Sequence, residues 1–212
     1  MTDLLLVRHA ETIWHHENRY AGRTDVPLTE HGRQQAKRLG RWAANAGIDA
    51  VWTSPLGRCR LTARPSVDGA NCSEFVDDRL CELDFGALEG KTKTEAHALF
   101  ASAMDAYLRD PVANHFADGE SPETAAARCI ACFHDIAERH PNQRVMVVGH
   151  STLMRLALCG ALGIGLNLYR TRFPVLLNCG VTHLRLTNGS AGLVNLNLPV
   201  ECLELRGRDP IL

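Results

Sequence analysis

Hydrophobic and polar positions along the chain change their spacing in a way that predicts strands alternating with helices. The run DLLLVR (3–8) is short, continuously apolar and closed by polar residues, which is typical of a buried parallel strand. The same pattern recurs at IDAVWTSP (48–55) and at RVMVVGH (144–150). Strands that alternate with helices predict an α/β domain with a mostly parallel sheet.

Helices are predicted after each of these strands by residues that begin or end a helix. In PLTEHGRQQAKRLGRWAANAG, Thr29 is placed to cap the N-terminus and Gly47 to stop the helix, with small or apolar residues recurring on one face. A second helix is expected to follow the 48–55 strand, with Arg58 in its first turn. A third, STLMRLALCGALG, begins at Ser151.

The middle and the C-terminal part of the chain show other patterns. Residues 91–140 contain two helical stretches, with the turn-rich DPVANHFADGES between them and no strand. We therefore expect a single domain over residues 1–212, three-layered α/β/α with a mostly parallel central sheet, and a small helical cap inserted around 91–125. From Pro174 the pattern alternates as in strands. Those strands either pair with a second copy, giving a homodimer, or complete one subunit.

Composition and charge exclude several classes of partner. Hydrophobic residues make up 45% of the 212 residues and charged residues 22%, as in ordinary globular proteins. A formal net charge of -1 and an aromatic content of 6% argue against a nucleic-acid surface built on bulk charge or base stacking. No apolar stretch reaches the ~20 residues of a membrane span. The N-terminus has no basic region or cleavage site, so we expect a cytoplasmic protein without a secretory signal.

The eight cysteines are scattered singly, apart from Cys129 and Cys132 in CIAC. Reduced thiols that serve as small core residues account for them. A zinc site would need a second pair or a paired histidine partner, and neither is present, so no metal or cofactor is predicted.

Candidate catalytic residues follow the ends of two predicted strands. Arg8 and His9 follow the first strand, and His150 follows the strand that closes with Gly149. Ligands of open α/β sheets bind outside the carboxyl ends of the strands, so both imidazoles would reach one crevice if the strands are neighbours. An arginine and the helix N-terminus at Ser151 suit a phosphate. This combination favours phosphoryl transfer with a histidine nucleophile.

Six segments in order resemble the histidine phosphatase superfamily, the phosphoglycerate mutase-like proteins. The resemblance extends over most of the chain, and only about the last forty residues are uninformative. The segments read LLLVRHAET (4–12), NRYAGRTDVPLTEHGRQQA (18–36), VWTSPLGRCRLTA (51–63), LCELDFGALEG (80–90), FADGES (116–121) and VMVVGHST (145–152).

The resemblance implies a role for each matching residue. His9 would be the nucleophile that becomes phosphohistidine, and Glu82 the proton donor and then the base for water. The phosphoryl oxygens would be bound by the remaining residues, which are Arg8, Arg58, His150, the Ser151 amide and the 18–36 segment at Ala21 and Gly22. Alternatives remain open: Arg60 shares the GRCR segment with Arg58, and Asp84 or Glu89 could replace Glu82 as the acid.

One position departs from the family pattern. The family usually has Asn after the Trp that follows the first motif, and His15 stands there. A histidine could donate a hydrogen bond to phosphate and add positive charge when protonated, or turn away and leave one donor fewer.

The expected activity is phosphomonoester hydrolysis of a small phosphorylated metabolite, without a metal. A cofactor-dependent phosphoglycerate mutase is the first alternative; it usually needs a basic cluster in an insertion after the Glu82 motif, and the stretch MDAYLRDPVANHFADGES (104–121) offers Arg109 alone. A catalytically silent phosphate-binding scaffold is the second. The remaining basic residues that could form the rim of the site are Arg19, Arg23, Lys91 and Lys93.

Overall fold

A six-stranded mixed sheet forms the centre of the protein. The computed structural model describes residues 1–116 and 118–204. The strands are β1 (Thr2–Arg8), β2 (Ala50–Thr53), β3 (Ser73–Val76), β4 (Arg144–Gly149), β5 (Val181–Thr187) and β6 (Ser190–Leu198). Their order in the sheet is β3-β2-β4-β1-β5-β6. The first four of these are parallel, and β5 and β6 are antiparallel additions at one side.

Seven α-helices are described in the residues that the structure covers. They are α1 (Glu30–Ala43), α2 (Gly57–Ala70), α3 (Lys93–Arg109), α4 (Pro122–Arg139), α5 (Ser151–Ala161), α6 (Tyr169–Arg172) and α7 (Val200–Glu204). Short 3-10 turns follow β1 (Ile13–His15), precede and follow the Glu82 segment (Asp78–Leu80 and Gly86–Leu88), and precede α6 (Leu166–Leu168).

Alternate side chains of the buried strands build two cores. In β1, Leu4 and Leu6 pack with residues of α4 and α5, whereas Leu5 and Val7 pack with α1 and α2 on the opposite face. A strand that is buried on both faces must be apolar throughout, which explains the continuous DLLLV run. The predicted three-layer α/β/α fold is thereby confirmed.

Local sequence accounts for most element boundaries. The Thr29 hydroxyl accepts from the Gly32 amide and caps α1, as predicted. The helix ends at Ala43, four residues before Gly47, which takes a positive φ of 65°. The strand β3 was not predicted, because Ser73–Val76 is short, lies at the sheet edge and is nowhere fully buried.

The middle of the chain contains α3 and α4 with no strand between them, as predicted. The helix α3 breaks its regular backbone at Phe100, where φ is -137° and ψ is 46°. The alternating tail forms the hairpin of β5 and β6, and β6 is the edge strand opposite β3. Pairing of this edge with a second copy stays a prediction.

All eight cysteines are free thiols, and Cys129 and Cys132 are buried in α4. Within residues 1–116 and 118–204, no three His, Cys, Asp or Glu side chains are grouped so that they could hold a metal ion. Over the same residues, no helix combines the length and hydropathy that crossing a bilayer needs.

Candidate active site

The carboxyl ends of β1 and β4 bring the two motif histidines together. Arg8 pairs with Gly149 in the parallel ladder, and the His9 amide donates to the Gly149 carbonyl at 2.9 Å. The next residue on each strand is a histidine, and the centroids of the His9 and His150 rings lie 5.3 Å apart. The two imidazoles are therefore neighbours, as expected from adjacent strands, and His9 is the one that lines the cavity.

The His9 ring is held in one tautomer by the backbone carbonyl of the next residue. Its Nδ1 lies 2.8 Å from the Ala10 carbonyl oxygen, which only accepts, so Nδ1 carries the proton. The Nε2 lone pair is then free for a substrate. Burial, and then the positive charges of Arg8 and Arg58, hold the pKa of His9 well below its usual range. The ring is consequently a neutral imidazole with a free nitrogen at physiological pH.

His150 is fully buried and forms hydrogen bonds with two neighbouring side chains. Its Nδ1 accepts from Arg58 Nη2 at 3.1 Å, and its Nε2 lies 2.9 Å from the Ser54 hydroxyl. Burial, followed by the charge of Arg58, holds its pKa well below the usual range as well. The structure thus places His150 behind Arg58 and away from the cavity wall. Its predicted direct contact with a phosphoryl oxygen stays a prediction, and its visible role is to orient Arg58.

Arg58 is the buried arginine of the GRCR segment. It is 1% exposed, and its guanidinium donates to the carbonyl oxygens of Gly22 at 2.6 Å and Thr24 at 2.7 Å. Arg60 instead points outward and pairs with Glu74 at 2.8 Å. Of the two arginines that the sequence left open, the structure brings only Arg58 to the site.

Glu89 fixes the loop whose carbonyl groups bind Arg58. Its carboxylate accepts from the amides of Arg23 at 2.8 Å and Thr24 at 2.9 Å. Gly22 takes a positive φ of 49°, and a Cβ at that position would collide with the Glu89 carboxylate. Glu89 therefore positions the loop carbonyls, and unlike Glu82 it is not among the residues that line the cavity.

Arg8 is fixed on the other side of His9 by two acceptors. Its Nη1 donates to the Leu176 carbonyl at 2.8 Å, and its Nη2 donates to His15 Nε2 at 2.7 Å. Burial, opposed by Glu82, lowers the pKa of Arg8 to about 10, so it stays cationic at neutral pH. The Leu176 carbonyl comes from the segment before β5, for which the sequence offered no chemistry.

His15 faces inward as a hydrogen-bond acceptor. Because Arg8 can only donate, His15 Nε2 accepts, while Nδ1 lies 3.0 Å from the Thr12 amide nitrogen and 2.9 Å from the Thr12 hydroxyl. Burial and the charge of Arg8 lower the pKa of His15 to about 4. The lowered pKa disfavours a positive charge on His15 in the free protein, and its contact with a phosphoryl oxygen stays a prediction. Asn178, which the sequence did not indicate, lies 3.1 Å from the same nitrogen.

Glu82 lies at the N-terminus of α5. Its carboxylate accepts from the backbone amides of Thr152 at 3.0 Å, Leu153 at 2.8 Å and Leu83 at 2.9 Å. These three donors fix the orientation of the carboxylate beside the cavity. Asp84 instead accepts from the Gly86 amide at 2.9 Å and is partly exposed.

These groups meet at one cavity of about 450 Å³. Eight of the predicted residues line it, namely Arg8, His9, His15, Ala21, Gly22, Arg58, Glu82 and Ser151. We call the part formed by Arg8, His9, Arg58 and Glu82 the histidine end. Of the four predicted rim residues, Arg19 and Lys93 also line the cavity. Arg23 is within 4 Å of Asp84 and Glu120 instead.

The rest of the cavity is built from residues that the sequence did not single out. Tyr20, Tyr107, Arg155 and Arg170 line it, and we call this part the tyrosine end. Arg155 had one signal, because it is the lone charge in the apolar helix STLMRLALCGALG. The other three come from separate segments, and no local pattern places them together.

Fold and site together define a class of protein. A neutral, oriented histidine flanked by two arginines at the carboxyl end of a mostly parallel sheet is an arrangement for binding and transferring a phosphoryl group.

Comparison with known proteins narrows this class to a family. The model of the histidine phosphatase superfamily (branch 1) matches residues 4–199, so the chain belongs to that superfamily. Phosphoserine phosphatase 1 of Hydrogenobacter thermophilus is 34% identical over 167 residues, 79% of each chain. "Probable phosphoglycerate mutase GpmB" of Klebsiella pneumoniae is 34% identical over 87% of this chain and 85% of its own.

A solved structure gives the same result. The protein called Bacillus stearothermophilus YhfR superposes with a TM-score of 0.85 and 30% identity, covering 91% of this chain and 95% of its own. The predicted family is confirmed, and so is the prediction of a phosphatase-type enzyme.

Proposed function

We propose that this protein hydrolyses small phosphomonoesters through a phosphohistidine formed on His9. The observation that carries the proposal is the state of the His9 ring. Its Nδ1 is bonded to the Ala10 carbonyl, and burial with two nearby guanidiniums disfavours protonation. Nε2 is therefore a free, uncharged nucleophile in a cationic cavity, which is the form in which an imidazole can attack phosphorus.

In the first step, Nε2 attacks phosphorus while the bond to the ester oxygen breaks. That oxygen takes a proton from Glu82 and leaves as an alcohol. The imidazole acquires positive charge, and the bond from Nδ1–H to the Ala10 carbonyl stabilises it. Arg8 and Arg58 neutralise the charge on the non-bridging oxygens in a site that was arranged before the substrate arrived.

In the second step, water attacks phosphorus and gives its proton to Glu82. The bond between phosphorus and Nε2 breaks, His9 is neutral again, and phosphate is released. The backbone amides that bind Glu82 orient the same carboxyl group for both steps. The proton that it gives to the leaving oxygen in the first step is replaced by the one that it takes from water in the second.

A phosphoglycerate mutase is the second candidate, and two observations favour keeping it. Several relatives carry the mutase name, and the tyrosine end supplies two arginines where the 104–121 stretch has Arg109 alone. Supplying 3-phosphoglycerate with a trace of 2,3-bisphosphoglycerate separates the two activities. We expect free phosphate; formation of the 2-phospho isomer without free phosphate would show a mutase.

The direct test of hydrolysis is turnover of p-nitrophenyl phosphate between pH 5 and 8. Steady release of p-nitrophenol by the purified protein supports the proposal. An absence of turnover over this range would favour the silent scaffold. We also expect activity to persist in EDTA, because the guanidiniums supply the positive charge on the phosphoryl group. Loss in EDTA with recovery on adding metal would contradict that scheme.

A further inference from the structure

Two arginines at the tyrosine end have no acidic partner. Arg155 on α5 and Arg170 on α6 line the cavity and are half-buried. Neither guanidinium is within 4 Å of a carboxylate among residues 1–116 and 118–204, whereas Arg19 at the rim pairs with Glu17 and Glu95. Burying positive charge without a counter-charge is costly. Some other anion should therefore reach these groups.

Both guanidiniums lie over tyrosine rings, and some of their N–H donors have no partner among the described residues. Arg170 donates from Nε to the Tyr169 hydroxyl at 2.9 Å and stacks over the Tyr107 ring at 4.7 Å from its centroid. Arg155 donates from Nε to the Ser151 carbonyl at 3.1 Å, with the Tyr169 ring 5.2 Å away. These contacts fix the planes of the guanidiniums through Nε and the ring faces. Among the residues that the structure describes, Arg170 donates a hydrogen bond only from Nε, so both terminal nitrogens are available to a ligand.

Two tyrosine hydroxyls add further unused donors. Tyr107 is 2% exposed, and the described part of the chain offers its hydroxyl no hydrogen-bond partner. The hydroxyl of Tyr20, whose ring lies 6.2 Å from that of Tyr107, is likewise without a partner there. Buried hydroxyls and arginines that lack partners in one cavity point to a polar ligand group that completes them.

Charge indicates what that group is. A phosphoryl dianion at the histidine end is matched by Arg8 and Arg58 and leaves the charge of Arg155 and Arg170 uncompensated. A carboxylate fits a guanidinium with two parallel hydrogen bonds, and it also accepts from a tyrosine hydroxyl.

We propose that the tyrosine end is a subsite for a carboxylate on the substrate, so that the preferred substrates are phosphate esters of hydroxy acids. Arg170 and Arg155 bind that carboxylate while His9 receives the phosphoryl group. The proposal rests on the proposed function, because it concerns the same cavity. Phosphoserine phosphatase 1, one of the relatives, is named for an ester of this class.

The test compares two esters that differ only at the far carbon. In 3-phosphoglycerate that carbon is a carboxylate, and in glycerol 3-phosphate it is a hydroxymethyl group. We expect kcat/KM to favour 3-phosphoglycerate by about tenfold or more, as charge-assisted hydrogen bonds allow. Arg170→Gln should reduce the preference to within about threefold, and Arg170→Lys should restore part of it. Arg172→Gln, on the same helix but exposed, is the matched control and should keep the preference.

A binding measurement separates this proposal from the proposed function. In His9→Ala, calorimetric titration with the same two esters reports carboxylate recognition without turnover. Tighter binding of 3-phosphoglycerate supports the subsite even if the wild type proves inactive. Equal affinity together with equal kcat/KM for the two esters would overturn the subsite and leave phosphatase activity standing. Preference retained in Arg170→Gln would overturn the assignment of Arg170.

Discussion

At the histidine end of the cavity, hydrogen bonds cross-link the side chains, and of the buried side-chain polar atoms described there only Arg8 Nε and Arg58 Nε lack a partner. At the tyrosine end, two complete hydroxyl groups lack one. His9, Arg58 and Glu82 are each fixed by backbone carbonyls or amides. At the other end, the Tyr20 and Tyr107 hydroxyls have no partner in the described residues. The difference separates two tasks. Bond-making groups are held rigid before the substrate arrives, and recognition groups complete their hydrogen bonds with it.

The two ends also differ in what supports them. The carboxyl ends of β1 and β4 fix the backbone of His9 and His150 through the sheet ladder. The tyrosine end is assembled from a loop and three helices, which supply Tyr20, Tyr107, Arg155 and Arg170. Substitutions at the histidine end should therefore affect the rate for every ester, and substitutions at the tyrosine end should affect the choice among esters.

The largest effect is expected from removing the nucleophile. His9→Ala should lower kcat for p-nitrophenyl phosphate by about 10⁴-fold or more, because no other described group presents a neutral free nitrogen there. The melting temperature should stay close to that of the wild type. His31→Ala, at an exposed position on α1, is the control and should retain full activity. Activity of His9→Ala within tenfold of wild type would remove the nucleophile assignment.

Loss of Arg58 should have the next largest effect. Arg58→Ala removes a buried guanidinium held by two carbonyls and His150, and kcat/KM should fall by about 10²–10³-fold for all esters. Arg60→Ala, on the same helix but facing outward, should be near wild type. Equal losses in the two variants, measured alongside circular dichroism, would show that the register of the GRCR segment is misassigned.

The effect of Glu82→Gln should depend on the leaving group. The variant cannot give a proton to the departing oxygen, so kcat for an alkyl phosphate should fall by about 10²-fold or more. p-Nitrophenolate leaves without protonation, and its ester should suffer less in the first step. A loss that is the same for both esters would mean that Glu82 acts mainly by capping α5. Thermal unfolding of the variant measures that capping separately.

The smallest change in rate is expected from His15→Asn, and its main consequence is for stability. The His15 pKa of about 4 in the folded protein lies below the ordinary value of 6.5, so the unfolded chain binds the extra proton between these values. Stability should fall as pH drops from 6.5 towards 4, and more shallowly in His15→Asn. Urea titrations at pH 5 and pH 7 measure the slope.

Two controls for His15→Asn follow from the uncharged state of the His15 imidazole in the wild type. Because the imidazole is uncharged between pH 5 and 8, kcat/KM in that range should change by less than about threefold. His9 and His150 also have lowered pKa values, so the variant should retain part of the slope. An unchanged slope would show that His15 is not buried against Arg8 in solution.

The sequence indicates the histidine end far better than the tyrosine end for a physical reason. His9, Arg58 and His150 each follow directly from a buried strand or open a helix, and such boundaries have local signals. Arg170 and Tyr107 lie 63 positions apart on different helices, and their contact depends on how α3 packs, which no local pattern specifies. β3 was missed because a short edge strand with partly exposed residues lacks the apolar run of a central strand.

The role of His15 could not be derived from sequence for a related reason. Whether a histidine is cationic depends on its burial and its neighbours, and here Arg8 and Asn178 both donate towards its Nε2. Asn178 reaches it from 163 residues away.

Direct detection of the phosphorylated residue tests the central claim. Enzyme mixed with 3-phosphoglycerate is quenched within milliseconds into alkali, where phosphohistidine survives, and its peptides are analysed by mass spectrometry. The account predicts phosphate on the imidazole of His9, formed and lost at rates that match turnover. Turnover with no phosphorylated peptide, or with phosphate on a residue other than His9, would contradict it.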